Sequence, residues 1–143
     1  MDFESIDIYR QSGVLVYRLS CGQPQLLLVT TRKGRWTIPK GIVEPDLSPA
    51  ESARSEAFEE AGVHGELVEE SIGRFRYRKW GGTCTVEVFL LEATKMLPVW
   101  PEDDFRQRRW MPLSTAADTV KFAELSDLIR RAESHIRLRH PSR

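Results

Sequence analysis

Trp36-Thr37-Ile38-Pro39-Lys40-Gly41, answered downstream by Ser55-Glu56-Ala57-Phe58-Glu59-Glu60-Ala61-Gly62-Val63, is the stretch that decides how this chain is read. The second part belongs to a helix with defined ends. Ser48-Pro49-Ala50-Glu51 offers an N-cap serine, a proline at the first helical position and a capping-box glutamate. Gly62 suits the left-handed residue that closes a helix. At about 100° per residue, Ala50, Ala53, Ala57 and Ala61 form a narrow stripe of small side chains that can lie close against a sheet. Glu56, Glu59 and Glu60 fall within an arc of about 100° beside that stripe, which predicts that they border a groove.

Strand patterns surround the helix. Gly13–Arg18 and Gln25–Thr30 are β-rich runs separated by Ser20-Cys21-Gly22-Gln23-Pro24, and they predict a hairpin. Val63–Glu69 reads as a further strand. Arg74-Phe75-Arg76-Tyr77-Arg78 alternates strictly, with arginines on one face and aromatics on the other. Gly81-Gly82 turns the chain into Thr83–Ala93, and Arg109-Trp110-Met111 is a short strand. From Phe122 to about Leu138, helical spacing relates Leu125, Leu128, Ile129, Ala132 and Ile136. Many strands, one central helix and one terminal helix predict a layered α/β (α+β) domain. No repeat, linker or low-complexity tract interrupts residues 1–143, so the chain reads as one domain.

The 41% hydrophobic content is enough to fill one core. Lys+Arg and Asp+Glu balance at 21 each, so no global field draws the chain to nucleic acid or membrane. The charges are nonetheless segregated. Glu44 to Glu70 carries nine acidic residues against Arg54, while Thr31–Lys40 and Ser71–Trp80 carry four basic residues each and no acid. Such a pattern fits a site holding a cation and a polyanion together, and equally fits ordinary solvated faces. Cys21 and Cys84 form no Cys-x-x-Cys or Cys/His cluster, which argues against zinc and suits a reduced, cytoplasmic protein. Met1–Ser5 is acidic and lacks the apolar run of a signal peptide. No run of about 18 apolar residues is present to cross a membrane. The arginines of the tail suit the C-terminal end of a helix dipole, and without an RNA-recognition motif nucleic acid is not the expected partner.

Glutamates at i, i+3 and i+4 bring several oxygens toward one hard cation. Mg²⁺ or Mn²⁺ fits such a set and keeps water and phosphate oxygens as its other ligands. A cation bridging phosphates neutralises their charge and lowers the pKa of a bound water, whose proton a neighbouring glutamate can take. Three glutamates alone are also what a solvated acidic helix face looks like; their spacing to the flanking glycines decides.

That spacing resembles the Nudix hydrolases, whose signature is G-x5-E-x7-R-E-U-x-E-E-x-G-U with U apolar. Gly41, Glu56, Ala57, Glu59, Glu60, Gly62 and Val63 fall in place, giving a box over residues 41–63. Two positions depart: Leu47 replaces the first glutamate and Ser55 the arginine, which in the family usually form a charge pair steadying the loop against the helix. Both are absent together, so neither charge is stranded. Arg54 projects about 100° away from position 55 and does not replace it, whereas Glu44 could take the missing glutamate's place if the loop is re-registered. The resemblance implies an α/β/α sandwich with a mixed sheet, a box helix and a C-terminal helix.

Leu26–Arg32 followed by Trp36, together with Glu102–Trp110 and Lys121, is similar to the subfamily acting on diadenosine and diphosphoinositol polyphosphates. Carried over by position, the resemblance implies Glu56 and Glu60 as metal ligands and Glu59 as the proton acceptor. A carbonyl near Lys40 or Gly41 would add a ligand, and Arg10, Thr31, Arg32, Arg106 and Lys121 would bind phosphates. The implied activity is hydrolysis of a phosphoanhydride in a nucleoside diphosphate linked to another group, foremost a dinucleoside polyphosphate. ADP-ribose, nucleotide sugars and nucleoside triphosphates remain alternatives, as does a non-catalytic nucleotide-sensing module. Among carboxylates outside the helix, Glu87, Glu92, Glu102 and Asp103 are all candidates to complete the site. Arg74, Arg76 and Arg78 are expected first on the outer face of an edge strand, with a polyphosphate cradle as the alternative for their shared face. Trp80, Trp100 and Phe105 are each placed first in packing and second as base-stacking groups. The partner expected is a small nucleotide or polyphosphate; oligomeric state is not specified.

Overall fold

A computed structural model of the chain describes residues 7–141, so the N-terminal Met1–Ser5 reading lies outside the described residues. The elements are β1 (Asp7–Ser20), β2 (Gln23–Thr30), β3 (Trp36–Thr37), β4 (Lys40–Ile42), α1 (Pro49–Ala61) and β5 (Val63–Leu67). They continue with β6 (Gly73–Lys79), β7 (Gly82–Met96), β8 (Arg108–Pro112), α2 (Leu113–Thr119) and α3 (Ala123–Arg139). Among the described residues the strands form one eight-stranded mixed sheet along the path β3-β2-β1-β7-β5; β4 pairs with β1, β6 with β7 and β8 with β2.

The parallel pair at the centre, β1 beside β7, is buried on both faces, as strands inside a helix-covered sheet must be. The two-residue strand period sorts their side chains between two cores. Leu15, Tyr17, Leu26, Leu28, Val86, Val88 and Leu90 face one helical layer, where Leu125, Leu128, Ile129, Ala132 and Ile136 of α3 pack with α2. Val14, Val16, Leu27, Val29, Phe89 and Leu91 face the other, where the alanine stripe of α1 lies on the sheet. This is the expected α/β/α sandwich. The helix ends are those read from the sequence: Ser48 and Glu51 form both bonds of the capping box, and Gly62 closes α1 at φ 66° and ψ 40°.

The structure adds what the local pattern did not contain. The hairpin β1–β2 pairs only through Tyr17↔Leu26 to Ser20↔Gln23. Beyond it, β1 keeps its edge satisfied by a different segment, pairing Gln11↔Ile42 to Gly13↔Lys40, with Val14 N–H donating to the Pro39 carbonyl at 3.0 Å. The Pro-Lys-Gly segment is therefore partly a strand wedged between diverging neighbours. That wedge opens a cleft at one end of the sheet.

Candidate active site

The cleft is walled by residues 31–38 after β2, by β4, by the last turn of α1, by the end of β6, by Lys121 and Phe122, and by Arg106 of the loop 97–107. Trp100 ties the loop to the helix, its indole Nε1–H donating to the Glu60 carbonyl at 3.0 Å, and Glu102 N–H donates to the Glu59 carbonyl at 3.1 Å. Arg108 reinforces the joint: its guanidinium donates to the Ala61 carbonyl at 2.8 Å and the Leu97 carbonyl at 2.7 Å and lies 3.9 Å over the Trp100 ring. These bonds satisfy carbonyls that the end of a helix otherwise leaves without partners.

Glu56 and Glu60 are buried, 9% and 7% exposed, and Glu59 is half-buried. Gly41 is what lets Glu56 reach its position. A Cβ on that residue would lie 2.3 Å from one Glu56 carboxylate oxygen and 2.9 Å from the other. Lys40 N–H donates to Glu60 Oε1 at 3.2 Å, and Arg106 lies 3.5 Å from Glu60 Oε2. Arg106 also binds Glu102 at 2.6 Å and the Thr30 carbonyl at 2.7 Å. Burial, the hydrogen bond to Glu60 and the surrounding carboxylates push the Glu56 carboxyl up to about 9, so it keeps a proton. Burial also raises Glu60, against the lowering pull of Arg106 and its hydrogen bonds from Glu56 and Lys40. Burial, then Glu102 and Glu44, raise Glu59.

Two adjacent buried carboxylates fit a hard divalent cation, which would take the place of the proton on Glu56. No three His, Cys, Asp or Glu side chains close around one point among the described residues. A hard divalent cation held here would have one or two carboxylates from the protein and would take its remaining ligands from water or phosphate.

The cleft has a volume of about 680 Å³ and is lined by eight lysines and arginines against one carboxylate, Glu60. Thr31, Arg32, Lys40, Gly41, Arg106 and Lys121 are all on its walls, whereas Glu56 and Glu59 are not among the lining residues. Arg10 is exposed on β1 and does not line it. Lys40 is pulled down from the ordinary lysine range by burial, its ammonium donating to the Tyr77 hydroxyl at 3.3 Å, which in turn donates to Gln11 at 2.8 Å. Arg32 stacks 3.9 Å over Phe105, and the Thr31 carbonyl and hydroxyl hold the turn through Gly34 and Arg35.

Of the four outlying carboxylates, Glu102 is beside the helix glutamates. Glu92 lies 3.7 Å from His140, Asp103 caps the Trp100 N–H at 3.0 Å, and Glu87 sits in β7 opposite Arg74. Arg74, Arg76 and Arg78 are exposed on β6, with Phe75 and Tyr77 in the core behind them, and Arg78 also reaches the cleft wall. Near Leu47 and Ser55, neutral hydrogen bonds join the loop and the sheet to the start of α1. Ser52 Oγ accepts from Glu44 N–H at 3.3 Å, and Ser12 Oγ donates to the Pro49 carbonyl at 2.7 Å. Gln11, Tyr77 and Lys79 on the cleft wall escaped the sequence reading, because their alternation marks them only as strand positions and nothing local says which end of the sheet opens.

Residues 9–132 match the family described as NUDIX domain. Nudix hydrolase 21, chloroplastic, of Arabidopsis thaliana is 39% identical over 118 residues, 77% of this chain and 59% of that protein. Nudix hydrolase 4 of the same plant is 40% identical over 100 residues, 68% of this chain and 48% of that protein. Diphosphoinositol polyphosphate phosphohydrolase 3-beta of Bos taurus is 34% identical over 117 residues, 78% of this chain and 69% of that protein. The chain thus spans about half the length of the plant relatives it matches. Among solved structures, C. elegans Ap4A hydrolase superposes with a TM-score of 0.75 at 23% identity, covering 90% of this chain and 98% of that one. The NUDIX domain of Shewanella oneidensis NrtR, solved with ADP ribose, gives 0.72 at 16% identity, covering 95% and 94%. At such identities the structures speak to fold, and they share this one. With the box helix, its glycine cradle and a match running through nearly all of the sheet, the chain belongs to the Nudix hydrolase family.

Proposed function

We propose that this chain is a divalent-metal-dependent pyrophosphohydrolase. It hydrolyses a phosphoanhydride bond in a nucleoside diphosphate linked to another moiety, and a dinucleoside polyphosphate is the favoured class. The observation that carries the reading is the buried pair Glu56 and Glu60, of which Glu60 lines a cleft walled by eight lysines and arginines. A mononucleotide needs fewer cations than that, whereas a chain of phosphates between two end groups can use them. The Ap4A hydrolase neighbours favour this class by name, and the bovine relative's name, a diphosphoinositol polyphosphate phosphohydrolase, favours a polyphosphate more broadly.

Glu56 and Glu60 would hold the cation, Mg²⁺ or Mn²⁺. When bound it supplies charge neutralisation and a more acidic water. Glu59, half-buried with its carboxyl raised by burial and by Glu102 and Glu44, accepts the proton of the attacking water. Arg106, Lys40 and Arg32 place the phosphates, and Lys40 does so from a half-buried position where its charge is less screened than on the open surface. Arg106 balances the carboxylates on one side and the substrate on the other. Free Cys21 and Cys84 suit a reducing compartment such as the cytoplasm.

The test is a panel of dinucleoside polyphosphates, ADP-ribose, nucleotide sugars and nucleoside triphosphates with Mg²⁺, products identified by mass spectrometry. ATP release from a diadenosine compound is expected. Glu60→Gln and Glu59→Gln should each lower turnover on the order of 10²–10⁴-fold while the fold persists. Full turnover in both variants refutes the assignment of the helix.

A further inference from the structure

The glutamates and cations of the cleft address phosphates, and none of them recognises a nucleobase. One residue on the wall is built differently. Among the described residues, two two-residue hairpin turns have positive φ at both central positions: Cys21-Gly22 at 52° and 76°, and Trp80-Gly81 at 56° and 73°. Turns of this kind favour Asn, Asp or Gly, because a side chain with a Cβ is crowded in the left-handed region. Tryptophan there is unfavourable for the backbone, and burial does not compensate, since Trp80 is 54% exposed. It is the one exposed aromatic side chain among the described residues. An exposed bulky ring held in an unfavourable backbone on the wall of a ligand cleft points to use by the ligand.

The surroundings suit a flat partner. Tyr9 stands edge-on to the indole, centroids 4.9 Å apart and planes at 73°, which fixes the plane of the ring. The Lys79 ammonium lies 4.4 Å over the ring and has no carboxylate partner among the described residues. A flexible exposed lysine can leave that face for a phosphate. The other aromatics of the region are already engaged. Trp100 is pinned by its Nε1 bond and by Arg108, and Phe105 lies under the guanidinium groups of Arg32 and Arg106 at 3.9 and 5.0 Å.

We propose that Trp80 is the platform on which a nucleobase of the substrate stacks, with Tyr9 as its buttress and the Lys79 face as the face the base takes. The proposal rests on the nucleotide reading above. A π-face accepts any base, so Trp80 distinguishes nucleotides from base-free polyphosphates, not one base from another.

The experiment compares two probes of equal phosphate number, α,β-methylene-ATP and inorganic tripolyphosphate, by calorimetric titration with Mg²⁺ present. Trp80→Asn should weaken the nucleotide by about 10-fold, the scale of one base–aromatic stack, and leave tripolyphosphate unchanged. Because asparagine accepts the left-handed turn, its melting temperature should hold or rise. Trp80→Phe should keep nucleotide affinity within a few-fold. Unchanged nucleotide affinity in Trp80→Asn overturns the proposal, and so does an equal loss for both probes or a lowered melting temperature with general loss. Wild-type protein that binds both probes but hydrolyses nothing in the substrate panel defeats the enzymatic reading, while the same comparison still decides the platform.

Discussion

Replacing Gly41 by alanine should disable the site without unfolding the protein. Gly41 lies in β4 opposite Ser12, in ordinary strand backbone that alanine adopts without strain. Its missing side chain is filled by Glu56. The added Cβ would come within 2.3 Å of Oε2, 2.5 Å of Cδ and 2.9 Å of Oε1, where ordinary contact begins near 3.4 Å. The obstacle is the far end of a flexible side chain, so the carboxylate must retreat by about 1 Å while the backbone stays. A displacement of about 1 Å at a reacting centre costs on the order of 10²-fold in rate. We expect kcat in Gly41→Ala to fall by about that factor and the melting temperature to move by less than about 4 °C. The loss should also be shared with Glu56: combined with Glu56→Gln, Gly41→Ala should add little, because residues that act as a unit are not additive. Steady-state kinetics on the best substrate of the panel and a double-mutant cycle decide it. A kcat equal to wild type, or two losses that multiply in full, would refute the idea that Gly41 exists to seat Glu56.

Two further outcomes follow from the electrostatics and from the helix joint. Between the ordinary carboxyl value of 4.5 and about 9, folded Glu56 retains a proton that the unfolded chain has released. The folded state then binds more protons, so metal-free stability falls as pH rises through this window. Thermal unfolding in EDTA should show that decline, Glu56→Gln should flatten it, and Mg²⁺ should raise the melting temperature most at the alkaline end. Removing the Arg108 guanidinium strands the Ala61 and Leu97 carbonyls and uncovers Trp100. Arg108→Ala should therefore cost about 2–3 kcal/mol, lowering the melting temperature by roughly 5–10 °C, read by calorimetry.

Much of the molecule was legible because its signals are local. The capping box at Ser48 and Glu51, the alanine stripe and Gly62 each depend on residues within a few positions of one another, and the structure has all of them. The alternation of Arg74 to Arg78 set the inner and outer faces of β6 correctly. The short strands β3 and β4 and the helix α2 were not legible. β3 and β4 exist only because β1 and β2 diverge and leave hydrogen-bonding edges to fill. Leu113–Thr119 is too short to show its own period. Glu102 could not be separated from Glu87, Glu92 and Asp103, since the choice depends on how the loop after β7 folds back on α1.

The sequence by itself determined the family, the box helix and its three glutamates, because helical periodicity and glycine spacing are properties of consecutive residues. Only the tertiary structure decided that Glu56 fills the space Gly41 leaves, that serine hydroxyls tie the start of α1 to the loop and the sheet, and that Trp80 faces the cleft. Each of those joins segments distant in sequence, and what makes them functional is close packing and charge at a few ångströms. No pattern along a single chain encodes that before the sheet has brought the segments together.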